Sequence, residues 1–334
     1  MTAHGQTGAR QRGLTLIELM IALAVGLLIV AALGYLFVGN RQAFRVQDSL
    51  ARLQENGRYA LEVLGQDLRQ AGYIGCAEVG TGPGRVAVNV VANPALTANQ
   101  DNLIGGTEGG AAGADQLTLW RVDGRGATVS MTAKDAHLVI PPSPRQYAAG
   151  SPFLVADCQN ADLFRASALV KTDDTEIAHA DTYNSSVYNS SAELSKAYGA
   201  AALVFPFEVI AYRIQTNPAG NPALYRAVNG TAQEVVENVK DLQIVYGVDA
   251  NGDGAVDAYR PADQVTDWTR VLAVRVSLLL RGPTPNIATA PPAVFWDRNN
   301  DGTNDFNPAT DADAQARRLL QVFTTTIALR NRGR

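Results

Sequence analysis

Residues 12–38 read RGLTLIELMIALAVGLLIVAALGYLFV. From Leu14 to Val38 the run is almost wholly apolar, long enough for a membrane-spanning helix, which needs about 20 such residues. The exception is Glu18. An unpaired carboxylate costs roughly 2.5–3.5 kcal/mol at mid-membrane even on lenient scales, so its presence calls for a partner. The stretch ahead of the run, MTAHGQTGARQRG, holds Arg10 and Arg12 and no acid, which has the layout of a secretory n-region. The apolar run nevertheless exceeds the about 7–15 residues of a signal-peptide core. Ala32-Leu33-Gly34 is a poor small-residue cleavage site, so the span is expected to be retained. Arg41 and Arg45 follow the span as Arg10 and Arg12 precede it, and positive charge does not set its orientation.

The rest of the composition narrows the class. A length of 334 residues suits an anchor plus one large domain or two small ones. Apolar residues make up 46%, enough for a sizeable core, while charged residues are 18% with a net charge of −4. A nucleic-acid binder normally carries a basic excess. No nucleic acid is therefore expected, and capture of DNA through a local basic patch is the weaker alternative. Two cysteines, Cys76 and Cys158, are expected to pair in an exported chain. Closing so long a loop stabilises by ~4–5 kcal/mol in the chain-entropy picture. The alternative is two buried thiols.

The residues Gly13-Leu14-Thr15-Leu16-Ile17-Glu18 resemble the prepilin cleavage and methylation motif of type IV pilins and type II secretion pseudopilins. The resemblance implies that prepilin peptidase removes a leader, residues 1–13, by cutting between Gly13 and Leu14. Leu14 then becomes the methylated first residue and Glu18 the fifth. The family usually has Phe where this chain has Leu14. Loss of Arg10 and Arg12 leaves 26 basic residues against 32 acids, a net charge of −6. In the family the acid matching Glu18 meets the N-terminal amine of a neighbouring subunit, so two charges that are costly in lipid cancel. Glu18 is accordingly expected to be an assembly device. The plainer reading is an acid that snorkels to the headgroups.

No proline occurs between Leu14 and Pro83. After Val38 apolar residues recur at three- and four-residue steps: Val46, Leu50, Leu53, Gly57, Ala60, Leu61, Leu64, Leu68 and Ala71. The spacing predicts one helix from about Leu14 to Ala71, of order 85 Å. It divides into a transmembrane half, 14–38, and an amphipathic half, 39–72, capped at Gly72. Gly26, Gly34 and Gly39 either weaken the first half or allow close helix contact. Residues 77–115, rich in Gly, Ala, Asn and Pro, are expected to be long loops. Strands are expected at 116–122, 153–158, 203–214, 241–248, 271–281 and 321–329. Pro206 demotes the start of the third to an edge or a bulge. In Val271–Arg281, Leu272, Val274, Val276, Leu278 and Leu280 share one parity, which fits a sheet with one buried face. Residues 173–196, with YNSS at Tyr183 and again at Tyr188, are expected to be a surface insertion. The fold class is α+β: the long N-terminal helix packed on an antiparallel sheet in a β-rich periplasmic domain, 73–334.

Three stretches resemble the PilW family of minor pilins more narrowly: Leu53–Cys76, Asp241–Tyr259 and Arg318–Arg332. That resemblance implies a chain anchored once in the inner membrane and later placed in the pilus, near its tip. Its expected partners are other minor pilins, the major pilin and a PilY-type tip protein. The function it implies is priming of type IV pilus assembly, with twitching motility downstream. The alternatives are a minor pseudopilin of type II secretion and a ligand- or DNA-binding tip module.

Two loops have oxygen-bearing side chains at alternate positions, the spacing of a calcium loop: Asp249, Asn251, Asp253 and Asp257, then Asp297, Asn299, Asp301 and Asp305. Gly254 and Gly302 sit where such a loop turns sharply. Neither has the bidentate Glu at the twelfth position, which is Arg260 or Pro308. Asp263, or Asp311 and Asp313, are the acids available to complete a site from outside. The competing reading is a plain Asx- and Gly-rich turn. Catalysis is not expected: the three histidines stand apart, and no nucleophile elbow, Cys pair motif or phosphate loop occurs.

Overall fold

The computed structural model describes residues 15–76, 78–80, 85–93, 103–109, 113–124, 126–141, 148–170, 176–181 and 188–332. The chain divides into two compact units, Met1–Ala51 and Arg52–Arg334. One helix, α1 (Leu16–Gln70), begins in the first and ends in the second. Within the first unit its apolar residues are open: Leu16, Leu27, Leu28 and Val30 are each at least two-thirds exposed. This segment is long and apolar enough to cross a membrane.

In the second unit the expected stripe is the buried one. Leu53, Gly57, Ala60, Leu64, Leu68 and Ala71 are buried, while Arg52, Glu55, Arg58, Glu62 and Arg69 are exposed. The helix stops at Gly72, whose φ of +72° favours glycine. The Gly72 N–H donates to the Trp120 carbonyl at 3.0 Å, and the Asn331 side-chain amide donates to the Ala71 carbonyl at 3.0 Å. The end of the chain thus caps the end of the helix.

A nine-stranded sheet comprises β1 (Val88–Val90), β2 (Ile104–Thr107), β3 (Gln116–Val122), β4 (Ala127–Thr128), β5 (Pro152–Ala156), β6 (Ala161–Arg165), β7 (Leu203–Thr216), β8 (Pro222–Val228) and β9 (Thr231–Glu237). A four-stranded sheet follows from β10 (Val239–Val248), β11 (Ala258–Arg260), β12 (Val271–Arg281) and β13 (Leu320–Ala328), in the order β11-β10-β12-β13. All pairings within these two sheets are antiparallel except β1 on β6. The main core lies between the α1 stripe and both sheets, with Trp120, Phe207, Tyr212, Leu242, Val274 and Leu278 among its members.

Two expectations need correction and a third holds. Pro206 lies inside β7 at an irregularity of the kind expected: Phe207 pairs with Val122 of β3 and Val204 with Ala127 of β4, so the register shifts across the proline. A proline is tolerated there because the ladder on one side changes hands. The segment 77–115 is not all loop, because it supplies β1, β2 and further two-residue strands. Residues 173–196 are more than a surface insertion. Leu194 and, just beyond, Tyr198 are buried in a second core with Phe153, Phe164 and Ile177. Asp162, wholly buried, accepts from the Ser195 and Tyr198 hydroxyls, each at 2.6 Å. The YNSS copy at Tyr183 lies outside the described residues, and Tyr188-Asn189 forms a short strand.

Candidate functional site

Gly13 and Leu14, the expected processing residues, lie outside the described residues. Glu18 is exposed in the first turn of α1. Its Oε2 accepts from the Thr15 N–H at 3.5 Å and the Thr15 hydroxyl at 3.4 Å, while the Thr15 Oγ1 accepts from the Glu18 N–H at 3.3 Å. Thr15-Leu16-Ile17-Glu18 is therefore a reciprocal capping box, a signature legible in the sequence as Thr-x-x-Glu. Along the same segment Gly34 and Gly39 present open surface, where a methyl group would meet nothing. Such positions let another helix approach closely.

The second half of α1 is fastened by a charge that periodicity alone does not predict. Asp67 sits on the buried stripe with its side chain 5% exposed. Its carboxylate accepts from Arg226 Nε at 2.6 Å, Tyr212 Oη at 2.5 Å and Arg121 Nη1 at 3.2 Å. Arg121 in turn bonds Glu208 at 2.8 Å and Gln70 at 2.6 Å. Burial and the Asp67 charge push the Tyr212 hydroxyl well above the usual tyrosine range. The signal for this node is an acid one position before Leu68, on the face that the apolar residues bury. Gly57 marks the closest approach, since a Cβ there would lie 2.6 Å from the Phe323 ring of β13. Cys76 and Cys158 form a disulfide with Cα atoms 5.3 Å apart, which ties the segment after α1 to the β5–β6 turn.

The two acidic loops share one hydrogen-bond plan. In each, the first Asp accepts from the N–H of the sixth residue: Asp249 from Gly254 and Asp297 from Gly302, both at 2.9 Å. The ninth Asp accepts from the second N–H: Asp257 from Ala250 at 2.7 Å and Asp305 from Arg298 at 2.8 Å. The Asn amide donates to the fifth Asp, Asn251 to Asp253 at 3.1 Å and Asn299 to Asp301 at 3.0 Å. Donation from Gly254 and further loop N–H groups holds Asp249 below the usual carboxylate range, and the Thr303 hydroxyl does the same for Asp301. The loops thus close on their own amides. Among the described residues no group of three or more His, Cys, Asp or Glu is gathered for a metal ion. Asp311 and Asp313 do not complete either loop as expected. Lys240 bonds both, at 2.5 and 3.0 Å, and Arg281 bonds Asp313 at 2.8 Å. Burial raises the Asp313 pKa, but these cations outweigh it and hold it low. The second loop is braced by Asp241, which accepts from Trp296 and Arg298, each at 3.0 Å.

The site is thus a long helix, open and apolar in its first half and packed on a sheet in its second. Comparisons with known proteins say what the chain resembles. The family described as Type IV Pilus-assembly protein W matches residues 211–331, from the middle of β7 through β13. The Prokaryotic N-terminal methylation motif matches residues 8–34. The chain is thus similar to the PilW family over its C-terminal third and carries the methylation motif at its start. The N-terminal motif and the apolar half of α1 together suggest anchorage in a membrane. Among solved structures, the type IV-like pilin TTHA1219 from Thermus thermophilus is similar at 8% identity and a TM-score of 0.35, over 84% of this chain and 99% of that one. No curated protein matches the chain.

Proposed function

We propose that this chain primes type IV pilus assembly together with other minor pilins and the major pilin, beneath a PilY-type tip protein. The observation that carries the reading is the first half of α1: apolar, open along its length, and bearing one acid at Glu18. Cleavage after Gly13 would create a cationic amine at Leu14, one helical turn from that acid. Either charge alone is penalised in lipid, and pairing between neighbouring subunits removes the penalty. The subunit would wait in the inner membrane with its β-rich domain in the periplasm, then pass into the pilus. Lateral packing of α1 and contacts between the folded domains would hold it there.

The test is a clean deletion strain, scored for sheared surface pili beside a type II secreted substrate. Lost pili with normal secretion supports the priming role. Lost secretion with normal pili would make the chain a pseudopilin instead, and no change in either would favour a tip module that binds a ligand or DNA. For the acidic loops we propose calcium at Asp249, Asn251, Asp253 and Asp257 and at Asp297, Asn299, Asp301 and Asp305, on the strength of their spacing. Millimolar calcium is then expected to raise the Tm of the protein relative to chelator. An unchanged Tm would return both loops to self-closed turns.

A further inference from the structure

Between Glu18 and Asp48 the chain carries no acid, and its only charged residues there are Arg41 and Arg45. The uncharged residues 19–40 rise ~33 Å in a helix, close to the ~30 Å hydrocarbon core of a bilayer. When they fill that core, Arg41 and Arg45 fall in the layer of lipid headgroups. Both belong to α1 within the first compact unit, and both are exposed. Four positions apart, they stack one above the other on a single face. Among the described residues neither guanidinium is paired with a carboxylate.

Their surroundings have the polarity of a lipid. Phe37, one turn before Arg41, holds its ring centre 6.0 Å from the Arg41 guanidinium. Phe37, Val38, Arg41, Gln42 and Arg45 border one open recess on the helix surface. The side of it towards the span is apolar, and the far side is cationic. A phospholipid runs the same way, from acyl chain to phosphate. Tyr35 is 82% exposed beside it, and tyrosine favours the membrane–water boundary.

We propose that Arg41 and Arg45 form a docking site for the headgroup of an anionic phospholipid. The guanidinium forks donate to the phosphate oxygens, while an acyl chain lies along Phe37 and Val38. A zwitterionic headgroup offers the same phosphate but sets its own ammonium against the arginine pair, so the net-negative lipid is preferred. The inference rests on the reading that α1 spans a membrane. It adds which lipid gathers at the end of the span. It also makes the pair a retention contact, to be broken when the subunit leaves the bilayer.

The full-length protein in vesicles, and then nanodiscs, of equal parts phosphatidylglycerol and phosphatidylcholine tests this. Flotation after an alkaline wash reports whether the chain is inserted. Native mass spectrometry of the nanodiscs reports which lipids stay bound. Wild type is expected to retain phosphatidylglycerol over phosphatidylcholine, by about fivefold for each arginine. Arg41→Gln combined with Arg45→Gln is expected to insert as wild type does and to lose that excess. Arg58→Gln removes an exposed arginine of the same helix outside the recess and is expected to keep it. Arg10 and Arg12 are present in every variant and drop out of the comparison. An equal lipid ratio in wild type and the double variant, or the same loss in Arg58→Gln, would overturn the proposal. So would dimers that vanish in the double variant without any lipid preference, since a second copy would then be the occupant. A chain released from the vesicles by the wash would overturn the membrane-spanning reading itself, and the proposal with it.

Discussion

Replacing Asp67 with Ala would leave Arg226, Arg121 and the Tyr212 hydroxyl facing a gap from which water is largely excluded. Removing one partner of a buried pair costs about 3–5 kcal/mol, because the remaining charge stays desolvated. Asp67→Ala should therefore lower unfolding stability by that order, measured by urea denaturation. A loss under about 1 kcal/mol would mean the pair behaves as a surface bridge. A second residue governs the response to pH. Asp115 is buried, accepts from the N–H groups of Gly109 at 2.9 Å and Ile244 at 2.7 Å, and has no cationic partner among the described residues. Burial pushes its carboxyl up from 3.8 to about 7, with Glu108 and Asp241 adding to the rise. The folded chain therefore keeps a proton that the unfolded chain releases. The stability from this group is full below the unfolded value of 3.8 and is lost as pH rises through about 7. Wild type should lose stability relative to Asp115→Asn as pH rises across that window. A difference that stays flat with pH would contradict the assignment. Neither residue stands out in the sequence by residue type alone, and each takes at least one partner from more than 40 positions away.

At the scale of elements, the close approach of α1 to β13 passes through Gly57 and Phe323. Alanine would gain about 1 kcal/mol of helix propensity over glycine. Overpacking against the ring costs typically 1–3 kcal/mol, so the clash outweighs the gain. Gly57→Ala should thus destabilise the wild type yet stabilise a Phe323→Ala background. The same sign in both backgrounds would refute the contact. The stripe that buries Gly57 was legible because a 3.6-residue period needs no tertiary information. Strands 116–122 and 271–281 were legible to the residue, the first as a short apolar run with β-branched and aromatic members and the second by alternation. The β8–β9 hairpin escaped notice although Asn229-Gly230 is a turn signal, because Thr231–Glu237 is an exposed, mostly polar edge with little apolar alternation.

For the whole molecule, the anchor and the helix-on-sheet class could be read from one apolar run and one change of period. What could not be read was the fastening: Asp67, Asp162 and Asp241 draw their partners from distant segments. At the candidate site the sequence pointed to Glu18, and the structure adds that this acid also caps its own helix through Thr15. Capping and subunit pairing make different demands. Glutamine serves a capping box as glutamate does, but it cannot neutralise an amine in lipid. The direct measurement is therefore surface pili sheared from a deletion strain that carries Glu18→Gln, compared with wild-type complementation at equal protein level. The account predicts intact, processed protein and few pili. Wild-type pilus numbers from Glu18→Gln would contradict it and leave Glu18 as a helix cap alone.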